Sequence, residues 1–259
     1  MWFEKPPCGP DWARAVRHLR RADPVLRRVI DRVGPCTLHP RRDYFVVLCK
    51  AIFTQQISTA VATILFGRFR ELFPLRRPTP QLVLAALESQ DVDVLRKCGL
   101  SRQKAAYLHD LSRHFVDGRI PTRQLCRMSD EGVIESLVAV KGIGRWTAEM
   151  FLIFTLNRPD VLPVDDLGLR EGVREVYDLP ERPGAQLLNE IGERWRPYRS
   201  IATWYLWRRG TTATAAAAAD QARGLQSPGL VRRKPTAPLT LRRPARPGRS
   251  GGRPVRSVR

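Results

Sequence analysis

Phe45, Leu48, Cys49, Ile52 and Phe53 fall at i, i+3, i+4, i+7 and i+8, the apolar stripe of a helix that buries one face. The stripe runs into a polar break, Thr54-Gln55-Gln56-Ile57-Ser58, after which Val61, Ile64, Leu65 and Leu72 resume a helical period. Upstream, residues 11–33 alternate Arg pairs with apolar positions, as in Leu26-Arg27-Arg28-Val29-Ile30. Asp23-Pro24 divides them into two short helices, because a residue before proline avoids the helical region. Downstream the pattern predicts a loop over 74–80, short helices over 81–89 and 92–97, and a left-handed cap at Gly99. Ser101 is placed to cap a helix over 102–116 with Ala105, Leu108, Leu111 and Phe115 facing inward, ended by Asp117-Gly118. Residues 130–139 and 145–156 predict two helices joined by a glycine turn. Leu169, Val173, Val176 and Tyr177 line another helix, and an aromatic helix over 199–208 closes the periodic part of the chain. No strand alternation of useful length occurs, so the fold class is all-α.

Charge changes the picture. Lys and Arg number 45 against 25 acids, a net +20, which points to a polyanionic partner, nucleic acid before membrane. Past Gly210 the sequence becomes Ala/Thr-rich and then Arg/Pro/Gly-rich; from Thr211 onward ten Arg and one Lys stand against Asp220, a net +10. Such composition buries too little apolar area to offset chain entropy, so a disordered basic tail is expected over 210–259, after a helical domain over 11–209 and a short N-terminal extension over 1–10. No run of eighteen apolar residues and no signal-peptide core appear, so the expectation is a soluble protein, cytoplasmic and nucleoid-associated or nuclear, with no membrane partner. The cysteines at 8, 36, 49, 98 and 126 contain no C-x-x-C pair, and His18, His39, His109 and His114 lack ligand spacing. No side-chain metal site and no cofactor are therefore expected.

The chemistry gathers around Val140-Lys141-Gly142-Ile143-Gly144-Arg145-Trp146-Thr147-Ala148 and the adjacent carboxylates Asp165 and Asp166. Glycines between two helices permit a tight turn with bare N–H groups, and the helix that follows adds the positive end of its dipole, so the turn can grip a phosphate. An Asp before a helix is commonly only a cap. Consecutive residues there project about 100° apart, so only one of the pair can face a given target.

With Asp166 lying 22 positions after Gly144, these residues resemble the helix-hairpin-helix plus Gly/Pro-Asp signature of the DNA base-excision glycosylases, and within that superfamily they are most similar to the DNA-3-methyladenine glycosylase II family. Gln55-Gln56-Ile57-Ser58, the stretch 95–104 and Arg194-Trp195-Arg196-Pro197-Tyr198-Arg199-Ser200-Ile201-Ala202 extend the likeness over about residues 11–209. The resemblance implies a two-lobed helical fold and a monomer acting on double-stranded DNA with alkylated bases. It favours Asp166 over Asp165 as the catalytic carboxylate, because Asp166-Leu167-Gly168-Leu169 puts an aliphatic residue at the family's place. It assigns DNA contact to Lys141, Gly142, Ile143, Gly144, Arg145, Thr147, Gln56 and Ser58, with Gln56 as the strand wedge, and the base pocket to Trp207 and Trp146. It also implies a monovalent or divalent cation on the hairpin's backbone carbonyls. Relatives that cut the strand carry a lysine two residues after the second hairpin glycine; here that residue is Trp146, which implies hydrolysis without lyase chemistry. An alkylated purine is cationic and leaves without a general acid, so one carboxylate suffices. The alternatives are a glycosylase for deaminated or mispaired bases and a catalytically silent DNA-binding module.

Overall fold

The computed structural model describes residues 11–89, 96 and 98–210; the expected N-terminal extension, most of the helix expected over 92–97 and the basic tail lie outside them. The described residues belong to one compact unit of eleven α-helices and contain no strand. None of these helices is long and apolar enough to cross a membrane.

Helices α1 (Trp12–Ala22) and α2 (Pro24–Val33) meet at Asp23, whose Oδ1 accepts from the Val25 and Leu26 amides at 3.0 Å each. The expected break thus comes from an N-cap followed by a proline at the first helical position, where no N–H is lost. Helix α3 (Tyr44–Thr54) buries Phe45, Leu48, Cys49, Ile52 and Phe53, the whole predicted stripe. Helix α4 (Thr59–Glu71) departs from the pattern: Ala62, Phe66 and Phe69 face the core, while Val61 and Ile64 are 46% and 58% exposed. Three rings decide its rotation. Phe53 packs on Phe66 and Phe69 with centroids 5.3 and 5.1 Å away, and burying phenyl rings outweighs burying smaller aliphatic side chains.

Helix α5 (Pro80–Glu88) packs on α6 (Arg102–Val116), which Ser101 caps through the Lys104 amide and which also packs on α3. Next come α7 (Asp130–Val138) and α8 (Arg145–Phe151), the latter running into a π-helical turn at Leu152–Leu156. Helices α9 (Leu167–Val176), α10 (Ala185–Glu193) and α11 (Arg199–Trp207) complete the chain. Helix α10 was not expected from the sequence; Gly184 at its start and Leu188 and Ile191 on its buried face are the available signal.

The packing produces two lobes over one continuous core. Helices α1 and α2 return to α9 and α11, whereas α3 packs on α4, α6 and α8, α5 on α6 and α7 on α8. A buried polar tie closes the first group: Asp23 Oδ2 accepts from Tyr177 Oη at 2.5 Å and from Trp195 Nε1 at 3.0 Å. The first turn of α8 meets the start of α9 and the end of α11.

Candidate active site

The hairpin between α7 and α8 is pinned from below by Val140 and Ile143, both buried, with the Ile143 amide donating to the Val140 carbonyl at 3.1 Å. Gly142 has φ 84°, and a Cβ there would overlap the Tyr107 ring of α6, so both backbone conformation and space demand glycine. The Lys141 amide donates to Asp110 Oδ2 at 2.8 Å. The amides of Gly142 and Gly144 have no acceptor among the described residues, and Gly144 starts α8 without a side-chain cap. Such bare amides suit an anion. The Lys141 side chain is exposed and Thr147 is half-buried. The Arg145 guanidinium is already engaged: it forks onto Glu131 at 2.8 and 3.0 Å and reaches Glu149 at 3.2 Å. Its hydrogen bond to Glu131 raises the Arg145 pKa and lowers that of Glu131.

Asp166 stands at the N-cap of α9, 7% exposed, and the tertiary fold brings three sequence-predicted residues together there. Oδ1 accepts from the Leu169 amide at 2.5 Å and from Trp207 Nε1 at 2.8 Å; Oδ2 accepts from Trp146 Nε1 at 2.8 Å. Trp146 arrives from the first turn of α8, directly after the hairpin, and Trp207 from the last residue of α11. The capping role and the cluster therefore coexist in one side chain. Each carboxylate oxygen has two lone pairs, so the acceptor position left over sits on Oδ2, on the Trp146 side. Trp146 itself is 51% exposed. Asp165 diverges from this cluster: its side chain is 76% exposed and pairs with Arg170 at 3.3 Å.

Other members were not anticipated. Phe154 stacks on Trp207 with centroids 5.3 Å apart and planes 17° from parallel. Phe154 lies in the π-helical turn, whose wider winding re-aims side chains by a shift that apolar periodicity cannot reveal. Glu149 is buried one turn after Arg145; burial raises its pKa, against the pull of the Arg145 charge. A cavity of about 800 Å³ lies elsewhere, lined by Trp12, Val16, Arg17, Ile30 and Cys36 of the α1–α2 region, and Asp166 and the tryptophans beside it do not line it.

Gln56, the predicted wedge, is exposed and left-handed at φ 60°. Its neighbours anchor it. Gln55 Nε2 donates to the Gly142 carbonyl at 2.7 Å, and Lys104 Nζ donates to the carbonyls of Phe53 and Gln55 at 2.8 Å each. Ser58 accepts from the Val61 amide at 3.3 Å as the N-cap of α4.

Two helical lobes meeting at a glycine hairpin with open amides define a helix-hairpin-helix protein. Residues 49–197 match the HhH-GPD superfamily of base excision DNA repair proteins, and the chain belongs to that family. It is 33% identical over 207 residues to an alkylbase DNA glycosidase-like protein of Schizosaccharomyces pombe, spanning 76% of this chain and 93% of the relative. It is 34% identical to DNA-3-methyladenine glycosylase 1 of the same organism, over 81% of this chain and 92% of that one. Among solved structures, the Schizosaccharomyces pombe 3-methyladenine DNA glycosylase in complex with abasic DNA is similar with TM-score 0.67 and 35% identity, over 75% of this chain and 95% of that one.

Proposed function

We propose that this chain is a monofunctional DNA glycosylase that everts and hydrolytically excises alkylated purines of the 3-methyladenine kind, using a domain over 11–209, as a monomer. The observation that carries the reading is the Asp166 carboxylate, held by the indoles of Trp207 and of Trp146, the latter in the first turn after the hairpin. The open amides of the turn take a backbone phosphate, with Lys141 adding charge. Gln56 fills the gap left by the everted nucleotide. Trp146 and Trp207 offer π faces to a cationic base, which attracts them more strongly than a neutral one would. The C1′–N bond breaks with its electron pair leaving on the base; the uncommitted lone pair of Oδ2 stabilises the oxocarbenium charge at C1′ and takes the proton of the water that adds there. No amine stands at the Trp146 position, so no Schiff base forms and the strand stays whole.

The turn also offers a donor set for a hard monovalent or divalent cation. The carbonyls of Val140 and Gly142 each accept one bond, from the Ile143 amide and Gln55, and keep a second lone pair. Such an ion would add positive charge beside a phosphate. The reading for deaminated or mispaired bases would need polar side chains to hydrogen-bond a neutral leaving base, whereas the side chains bonded to Asp166 are indoles. A silent binder would gain from Asp166 only the α9 cap and the two indole bonds, which a neutral Asn could also supply without setting a negative charge near phosphates.

Incubation with methylated duplex tests the proposal. Free methylated purines should appear, strand breaks should need alkali, and Asp166→Asn should lose base release by at least about a hundredfold with DNA affinity kept. Release by the Asn variant at the parent rate, or breaks without alkali, would overturn it.

A further inference from the structure

One face of α6 touches both parts of the interface proposed above. Lys104 grips the carbonyls of Phe53 and Gln55 where α3 ends and the wedge begins. One turn on, the Tyr107 ring lies against Gly142, its hydroxyl held by Gln103 Nε2 at 2.7 Å. Another turn on, Asp110 holds the Lys141 amide. Gln55 closes the loop by bonding the Gly142 carbonyl. The three α6 residues recur every third position and so share a face, with Lys104 and Asp110 about 9 Å apart along the axis.

From this arrangement we infer that α6 is a ruler: Lys104, Asp110 and Gln55 are positioning residues that set the Gln56 wedge at a fixed distance and angle from the phosphate-gripping hairpin, so that grip and strand insertion act as one rigid step in nucleotide eversion. This rests on the function proposed above.

Three features set these contacts apart from ordinary packing. Lys104 spends its ammonium on two backbone carbonyls, and desolvation pulls its pKa below the usual lysine range. The ammonium neutralises the carbonyl end of α3 and fixes the residues that lead into Gln56. The left-handed backbone of Gln56 is a conformation that a residue with a Cβ keeps only where its surroundings over-determine it, and these bonds are what does so. Asp110 presents a carboxylate to the amide of the residue just before Gly142. That orients the turn while leaving the Gly142 and Gly144 amides for phosphate.

The prediction is a defect that depends on whether the target base must be unstacked. Lys104→Met and Asp110→Ala should each lower the ratio of single-turnover excision rate on duplex to that on the same lesion in a single strand by about tenfold, as misplacement of a positioning group does. Asp110→Asn, which keeps an acceptor, should restore most of the ratio. In parallel, 2-aminopurine placed beside the lesion should brighten less in the variants than in the parent at equal bound fraction. Circular dichroism checks folding; if Lys104→Met fails to fold, the Asp110 pair decides. Equal losses on both substrates, or an unchanged ratio and fluorescence, would overturn the inference. Parent protein that releases no base would retire the glycosylase reading, and the 2-aminopurine comparison would still decide the ruler.

Discussion

Three of the four lone-pair positions on the Asp166 carboxylate are taken by N–H donors of the protein, and two of those donors come from tryptophans 20 and 41 residues away. A carboxylate so constrained cannot rotate to follow a reaction; under the function proposed above the sugar is brought to it, with Gln56 and the hairpin doing so. Glu149 shows the opposite economy. Its carboxyl is buried beside Arg145, and burial raises its pKa above 4.5. A raised carboxyl pKa means the folded state holds the proton more tightly than the unfolded chain, so ionisation costs stability above the folded pKa, and the cost disappears as pH falls toward 4.5. Glu149→Gln should therefore melt higher than the parent at neutral pH, with the difference shrinking as pH drops to that value; thermal scans of both proteins at several pH values check this. Glu149→Gln melting lower than the parent at neutral pH, with the gap closing on acidification, would mean that loss of the Arg145 ion pair outweighs the desolvation of the carboxylate. At this scale Asp166 was readable from its place in a motif and Trp207 from an aromatic helix. Phe154, Glu149 and Lys104 were not, because an ordinary Phe, Glu or Lys takes its meaning from neighbours distant in sequence.

At the scale of elements, α9 must lie close to α11 for Asp166 to meet Trp207. Gly172 allows it: a Cβ there would stand 3.0 Å from the Leu206 carbonyl, backbone that cannot swing aside. Gly172→Ala should cost about 1–3 kcal/mol in urea denaturation and lower the single-turnover rate by more than that loss of folded protein explains, because the strain pushes Asp166 away from Trp207. A rate lowered only in step with the folded fraction would mean the helices re-pack without disturbing the site. Helix starts were legible because their signals are local: Asp23-Pro24 and Ser101 cap α2 and α6 through bonds within three residues. The rotation of α4 was not. Val61, Ile64, Leu65 and Leu72 make as regular a stripe as Ala62, Phe66 and Phe69, and only the presence of Phe53 across the interface selects between them.

At the scale of the molecule, a net +20 on a protein that works on DNA makes affinity a function of salt, because each neutralised phosphate releases counterions. Truncation after Gly210 removes ten Arg, one Lys and Asp220, half of the net charge. The slope of log affinity against log salt should become shallower by about 0.9 for each phosphate that the tail no longer neutralises, measured by fluorescence anisotropy from about 50 to about 200 mM salt. An unchanged slope would take the tail out of the interface. The sequence alone determined the helical class, most element starts, the hairpin and the two adjacent acids that precede α9, because each of these is set by neighbours within one or two turns. Only the tertiary structure decided that two indoles close on Asp166 while Asp165 turns to solvent, that Arg145 is tied to Glu131, and that Lys104 and Gln55 tie the end of α3 to α6 and to the hairpin. Those bonds join residues 14 to 87 positions apart, or settle which way neighbouring side chains turn, and nothing local in the chain encodes the distance between two helices.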